Sequence, residues 1–243
     1  YIFLVLEYAH MNDFRPSLSR GYAGSASGQL ARNKVLRNTY WLLAISLIPT
    51  VIGAAFGLMT GLNQVMNASP ILSVVVFLGG AFGLMYAIQK NRDSSLGVGL
   101  LLLFTFFMGI MLSRLLGFVF GMGNGTQLVM TAFGGTAAVF ATMATLASTI
   151  KRDLSGMQRF LFIGAVIILV AALANMFFQM PALMLTISVL AIAIFSAFML
   201  VDLQRVVNGG ETNYVSATLA IYLSVYNVFA NLLMLLGIFG GDE

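Results

Sequence analysis

Cysteine is absent from the 243 residues, histidine occurs once, at His10, and charged side chains make up only 8% of the chain. The first two absences exclude disulfides, Cys- or His-based metal sites, cysteine nucleophiles and a Ser-His-Asp triad. The shortage of charge excludes more. A soluble domain carries about 25% charged residues, and a chain that is 60% hydrophobic with a mean hydropathy of +0.96 cannot cover a water-facing surface. It reads as an integral membrane protein. No nucleophile–base pair is visible and no residue cluster calls for a metal or other cofactor, so the chain is not read as an enzyme. The net charge of +4 and pI near 9.6 do not point to nucleic acid, because the bases are scattered among loops rather than gathered in one stripe.

What is present is a series of apolar stretches of the length an α-helix needs to cross a hydrocarbon core of about 30 Å. Seven spans are predicted: Tyr40–Leu62, Ile71–Ile88, Leu96–Phe120, Leu128–Ile150, Phe160–Phe178, Ala182–Val201 and Ala217–Phe239. The fold class is therefore an all-α membrane bundle of seven transmembrane helices. Pro70 and Pro181 stand at span starts, where a missing N–H costs nothing, while Pro49 should kink the first span. Three regions are expected: an upstream extension over 1–10, with Met11 as the natural start; a flexible basic tail over 11–38, with helix from near Lys34; and one membrane domain over 39–243. The pairs Gly53/Gly57, Gly57/Gly61 and Gly79/Gly83 share a small-x-x-x-small spacing that lets helices approach, although 25 glycines make such spacings common.

Charge placement predicts orientation, because short cytoplasmic loops carry the excess of Lys and Arg. Eleven of the twelve bases fall on one side: Arg15, Arg20, Arg32, Lys34 and Arg37 in the tail, Lys90 and Arg92, then Lys151, Arg152 and Arg159, and lastly Arg205. Arg114, near the far end of the third span, is the exception. The N-terminus is thus expected in the cytoplasm and the C-terminus, ending in Asp242 and Glu243, in the periplasm.

Polar groups within the spans are the candidates for function. Asp202, at the end of the sixth span, is either a carboxylate withdrawn from water that senses protons or an interfacial group paired with Arg205 one turn later. Ser224, Asn227 and Asn231 form a stripe on the seventh span, and Asn175 and Gln179 make a similar pair on the fifth; such stripes supply interhelical hydrogen bonds or line a path. Arg114 is expected to meet a carbonyl or the outer headgroups, with a buried functional role as the alternative.

The segments RNKVLRNTYWLLA (32–44), FGGTAAVF (133–140), KRDLSGM (151–157), ANMFFQMPAL (174–183) and VDLQRVVNGGETNYVSATLAIYLSVYNVF (201–229) resemble the Bax inhibitor-1 family, in its bacterial YccA-like branch. The resemblance implies a seven-helix protein of the bacterial inner membrane. It implies two functional models: a modulator of the FtsH membrane protease, engaged through the tail bearing Arg15, Arg20, Arg32, Lys34 and Arg37, or a pH-sensitive leak for calcium or protons. The leak model uses two aspartates on the last two helices that share a proton. Asp202 matches the first, but the second falls at Ser224 in Tyr222-Leu223-Ser224-Val225-Tyr226-Asn227. A hydroxyl cannot complete a shared-proton pair or supply half the charge for a divalent cation, so the protease reading ranks first. The bilayer is the remaining partner; nucleic acid is not.

Overall fold

The computed structural model describes residues 26–240, which form eight helices without strands: α1 (Ala26–Met59), α2 (Leu62–Ala68), α3 (Pro70–Lys90), α4 (Ser95–Phe120), α5 (Gly125–Thr149), α6 (Met157–Phe178), α7 (Pro181–Val207) and α8 (Tyr214–Gly240). All but α2 are long and apolar enough to cross a membrane, one for each predicted span. Only helices can do this as single segments, since each satisfies its own backbone without water. Pro70 and Pro181 open α3 and α7, and α1 runs on through Pro49.

Three boundaries differ from expectation. Helix begins at Ala26, so residues 26–38 of the predicted tail are helical, while Arg15, Arg20 and the proposed 1–10 extension lie outside the described residues. The reason is propagation: once the membrane span has nucleated, Ala31, Lys34 and Leu36 extend it outward at little cost. At 1.5 Å per residue the 34 residues of α1 reach about 51 Å, well beyond the hydrocarbon core. The second difference is α7, which continues past Val201 to Val207 and stops where Gly209, at φ 78°, can take the left-handed conformation that closes a helix. Asp202, Gln204 and Arg205 therefore stand on a helix. Third, the connection after α1 holds the short α2, entered through Gly61 at φ 72°.

At the centre of the bundle is α8, which packs against α1, α4, α5 and α7 and has 56% of its most apolar stretch buried, against 11% for the peripheral α6. Tyr222, Phe104, Phe195, Phe198 and Met199 are fully buried in the core around it. The tightest seam joins α1 to α4. Gly53 lies on the Phe106 carbonyl and Gly109 on the Thr50 carbonyl, so that a β-carbon at either position would meet backbone. Close backbone approach of this kind replaces the hydrophobic drive that lipid cannot provide.

Candidate functional site

At the basic end, polar side chains tie the helix connections to α7 and α8. Gln204, 2% exposed, donates from Nε2 to the carbonyls of Ile150 (3.1 Å) and Arg152 (2.9 Å), and its Oε1 accepts from the Leu154 N–H at 2.9 Å. One side chain thereby holds the whole α5–α6 connection. Asn213 does the same for two others. Its Oδ1 caps α8 by accepting from the N–H groups of Val215 (2.9 Å) and Ser216 (3.0 Å), and its Nδ2 donates to the Arg92 carbonyl and to Asp93 Oδ1 (2.7 Å). Arg205 pairs with Glu211 at 3.8 Å across the α7–α8 turn. In the α5–α6 connection the backbone N–H and hydroxyl of Ser155 hold the Asp153 carboxyl below the usual carboxylate range.

Asp202 is 4% exposed, buried inside the bundle on the inner face of α7. Ser224 on the adjoining α8 is fully buried, and its hydroxyl has no hydrogen-bond partner among the described residues. Around Ser224 the core is aromatic. The Tyr222 hydroxyl meets Thr50 Oγ1 at 2.8 Å, its ring lies 6.1 Å from both Phe104 and Tyr226, and the Tyr226 hydroxyl donates to the Met108 carbonyl at 3.2 Å.

Beyond this aromatic layer, toward the non-basic end, is a cavity of about 260 Å³ between α3, α4, α7 and α8. Tyr226, Asn227 and Asn231 line its α8 wall, and Arg114 its α4 wall. Both asparagines donate from Nδ2 to carbonyls of their own helix, Leu223 and Asn227, each at 2.7 Å. The predicted stripe is thus divided: Ser224 stays in the core while Asn227 and Asn231, also buried, line the cavity. Arg114 is exposed, and its Nε donates to the side-chain carbonyl oxygen Oδ1 of Asn67 on α2 at 2.8 Å.

Asn175 and Gln179 require correction as an interhelical pair. Gln179 takes the left-handed conformation, φ 50°, at the end of α6, and the Asn175 side chain accepts from the Met180 N–H at 2.9 Å. Both serve the tight α6–α7 turn, because the last carbonyls and the next free N–H need local partners. Of the basic tail residues, Arg32, Lys34 and Arg37 are exposed on the first turns of α1. Gln204 and Asn213 were missed as functional in the sequence. Asn213, one residue before an apolar helical run, carried a capping signal; Gln204 carried none, since its partners lie fifty residues away in the chain.

These features define a polytopic helical membrane protein whose basic end is laced by side-chain hydrogen bonds and whose opposite half contains a cavity. Residues 32–241 match the family described as inhibitor of apoptosis-promoting Bax1, and the chain belongs to this Bax inhibitor-1 family. It is 39% identical to an uncharacterised protein of Neisseria meningitidis, with 88% of this chain and 95% of the relative covered. An uncharacterised membrane protein of Vibrio cholerae is 38% identical over 88% and 93% of the two chains. A protein of Escherichia coli K12 named modulator of FtsH protease YccA is 36% identical over 88% and 94%. The counterpart in another E. coli strain is named inner membrane protein YccA. Seven apolar spans and such relatives make this an inner-membrane protein.

Proposed function

We propose that this protein regulates an FtsH-type membrane protease from within the bilayer, with its basic end toward the cytoplasm. The observation that carries the proposal is the 36% identity, across 94% of its length, to the relative named modulator of FtsH protease. The basic extension of α1, bearing Arg32, Lys34 and Arg37, together with the preceding segment bearing Arg15 and Arg20, is the handle the protease would take. Extraction then stalls on the bundle, because pulling α1 out must break the close α1–α4 seam at Gly53 and Gly109. A slowly extracted occupant withholds the protease from other membrane substrates. Orientation supports the same arrangement: the bases lie at the end where a cytosolic protease works.

The test adds the purified full chain to FtsH in proteoliposomes degrading another membrane substrate. Co-purification and slowed degradation are expected, both lost on deleting Met11–Ser27. Degradation that proceeds unchanged would reject the proposal. A reporter after Glu243 should be active only outside the cytoplasm and one after Arg92 only inside; swapped activities would reject the orientation.

A second function, ion leak, draws on the burial of Asp202 beside a helix carrying buried Ser224. It ranks lower because position 224 is not acidic and because Arg114 sits in the cavity that a cation would enter. Native protein in liposomes should show little pH-gated calcium flux. Ser224→Asp should introduce a pH dependence that Asp202→Asn removes, and strong pH-gated flux from the unmodified protein would promote the leak to first place.

A further inference from the structure

The cavity of about 260 Å³ has two unlike parts. Its interior is apolar and deformable, with Met66, Met108, Met111, Met184 and Met234 in the walls. Thioether side chains re-pack around varied apolar shapes. At the wall on α4 stands Arg114, the one cationic residue at this half of the bundle among the described residues. The four acidic residues among those described, Asp93, Asp153, Asp202 and Glu211, all belong to the basic half. The Arg114 guanidinium is anchored through Nε by Asn67, and its remaining N–H donors have no acceptor among the described residues. Arg114 lies six residues before the end of α4 at Phe120, about 9 Å below it at 1.5 Å per residue. A charge at that depth calls for an anion.

The cavity lies between helices that do not close on each other. Its walls include Val74 and Phe77 of α3 and Met184 of α7, yet α3 packs on α4 and makes at most glancing contact with α7. That gap faces the bilayer, so the ready occupant is a lipid. We propose that the cavity holds one acyl chain of an anionic phospholipid, with the phosphate bound by the Arg114 guanidinium. Guanidinium suits this role because its planar fork binds phosphate through paired, charge-assisted hydrogen bonds. A space of this size lies just below the range of small-molecule pockets, about 300–1,000 Å³. It takes one chain, and the second lies outside on the exposed Leu72, Val75 and Val76 of α3. A cation is disfavoured by Arg114, and a small anion would leave the methionine-lined interior unfilled. Asn227 and Asn231 each commit an amide hydrogen to a backbone carbonyl and carry no charge, so Arg114 is the stronger anion site. This assignment does not rest on the protease proposal.

The test reconstitutes the full chain in phosphatidylcholine vesicles with phosphatidylglycerol carrying a photoreactive group at the end of one acyl chain. After illumination, label is expected on the cavity residues deeper than Arg114, namely Met108, Met111 and Tyr226, located by peptide mass spectrometry. Arg114→Gln should cut labelling by about tenfold, the scale of one hydrogen bond to a charged group, and Arg114→Lys should restore part of it. A phosphatidylcholine probe should label weakly and ignore both changes. Ala230→Phe, which narrows the cavity, should reduce the phosphatidylglycerol label while leaving Arg114 in place. Label confined to the outer helix faces in the unmodified protein would overturn the proposal whatever the variants do. So would equal labelling by the two headgroups, or displacement of the probe by a free fatty acid in preference to phosphatidylglycerol.

Discussion

On α1, Gly53 and Gly57 press against α4 so closely that side chains there would strike the Phe106 carbonyl and Ser113, whereas on α3 Gly79 and Gly83, at the same spacing, have no atom within 4 Å of where a β-carbon would stand. Both pairs sit in apolar helices of the same bundle. What separates them is the opposing surface. Opposite Gly53, α4 offers Gly109, and the two backbones interlock. For its contact with α4, α3 uses another face, burying Ala81, Met85 and Ile88 and turning Gly79 and Gly83 outward with Tyr86. Helices in lipid gain nothing from merely hiding apolar surface, so a small-residue spacing allows close contact without specifying it.

Four sets of substitutions break or sharpen this comparison. The largest effect is expected from Gly53→Leu or Gly109→Leu, which cannot be relieved by a side-chain shift because the obstacle is backbone. Each should cost at least about 3 kcal/mol, the upper range for overpacking, seen as loss of a monodisperse, thermally cooperative protein in detergent. Retention of wild-type melting would mean the seam is looser than described.

Gln204→Leu comes next. Removing three hydrogen bonds leaves two carbonyls and an N–H of the α5–α6 connection without their partner, at about 2–3 kcal/mol in total. Hydrogen exchange at the Leu154 amide should accelerate while the α1–α4 seam stays protected; an unchanged rate would show that the connection is held by other contacts. Tyr222→Phe removes only the hydroxyl facing Thr50 and keeps the ring against Phe104, so a loss of about 1 kcal/mol is expected in chemical unfolding. Cost above about 3 kcal/mol would mean that this hydroxyl supports more than one contact.

Smallest is the double change Gly79→Ala with Gly83→Ala, which should alter stability by less than about 0.5 kcal/mol, as surface changes do. Its value lies in the contrast with Gly53. If the double variant altered the oligomeric state on size-exclusion chromatography, the outward face of α3 would be an interface between copies instead of a lipid-facing surface.

Several parts of the site were legible beforehand for physical reasons. Asp202 and Ser224 stood out because polar groups in an apolar run must be buried with purpose or placed at an edge, and burial is what the bundle imposes. Asn175 and Gln179 carried the same signal with a different outcome, since a turn between α6 and α7 consumes polar groups locally. Arg114 was conspicuous by its charge, but its bond to Asn67 depended on α2, a helix too short to announce itself.

By itself the sequence determined the number of spans, their approximate ends, the prolines that open α3 and α7, and the segregation of nine of the ten described bases to one end. These follow from the bilayer acting on each segment separately: every span must satisfy its own backbone and be long enough to cross. Only the tertiary structure decided which glycines touch, that Gln204 holds a connection fifty residues away, that α1 and α7 run past the predicted ends, and that Arg114 overlooks an apolar cavity. Those outcomes depend on which helix faces meet, and in lipid that is settled by the fit of side chains from distant parts of the chain.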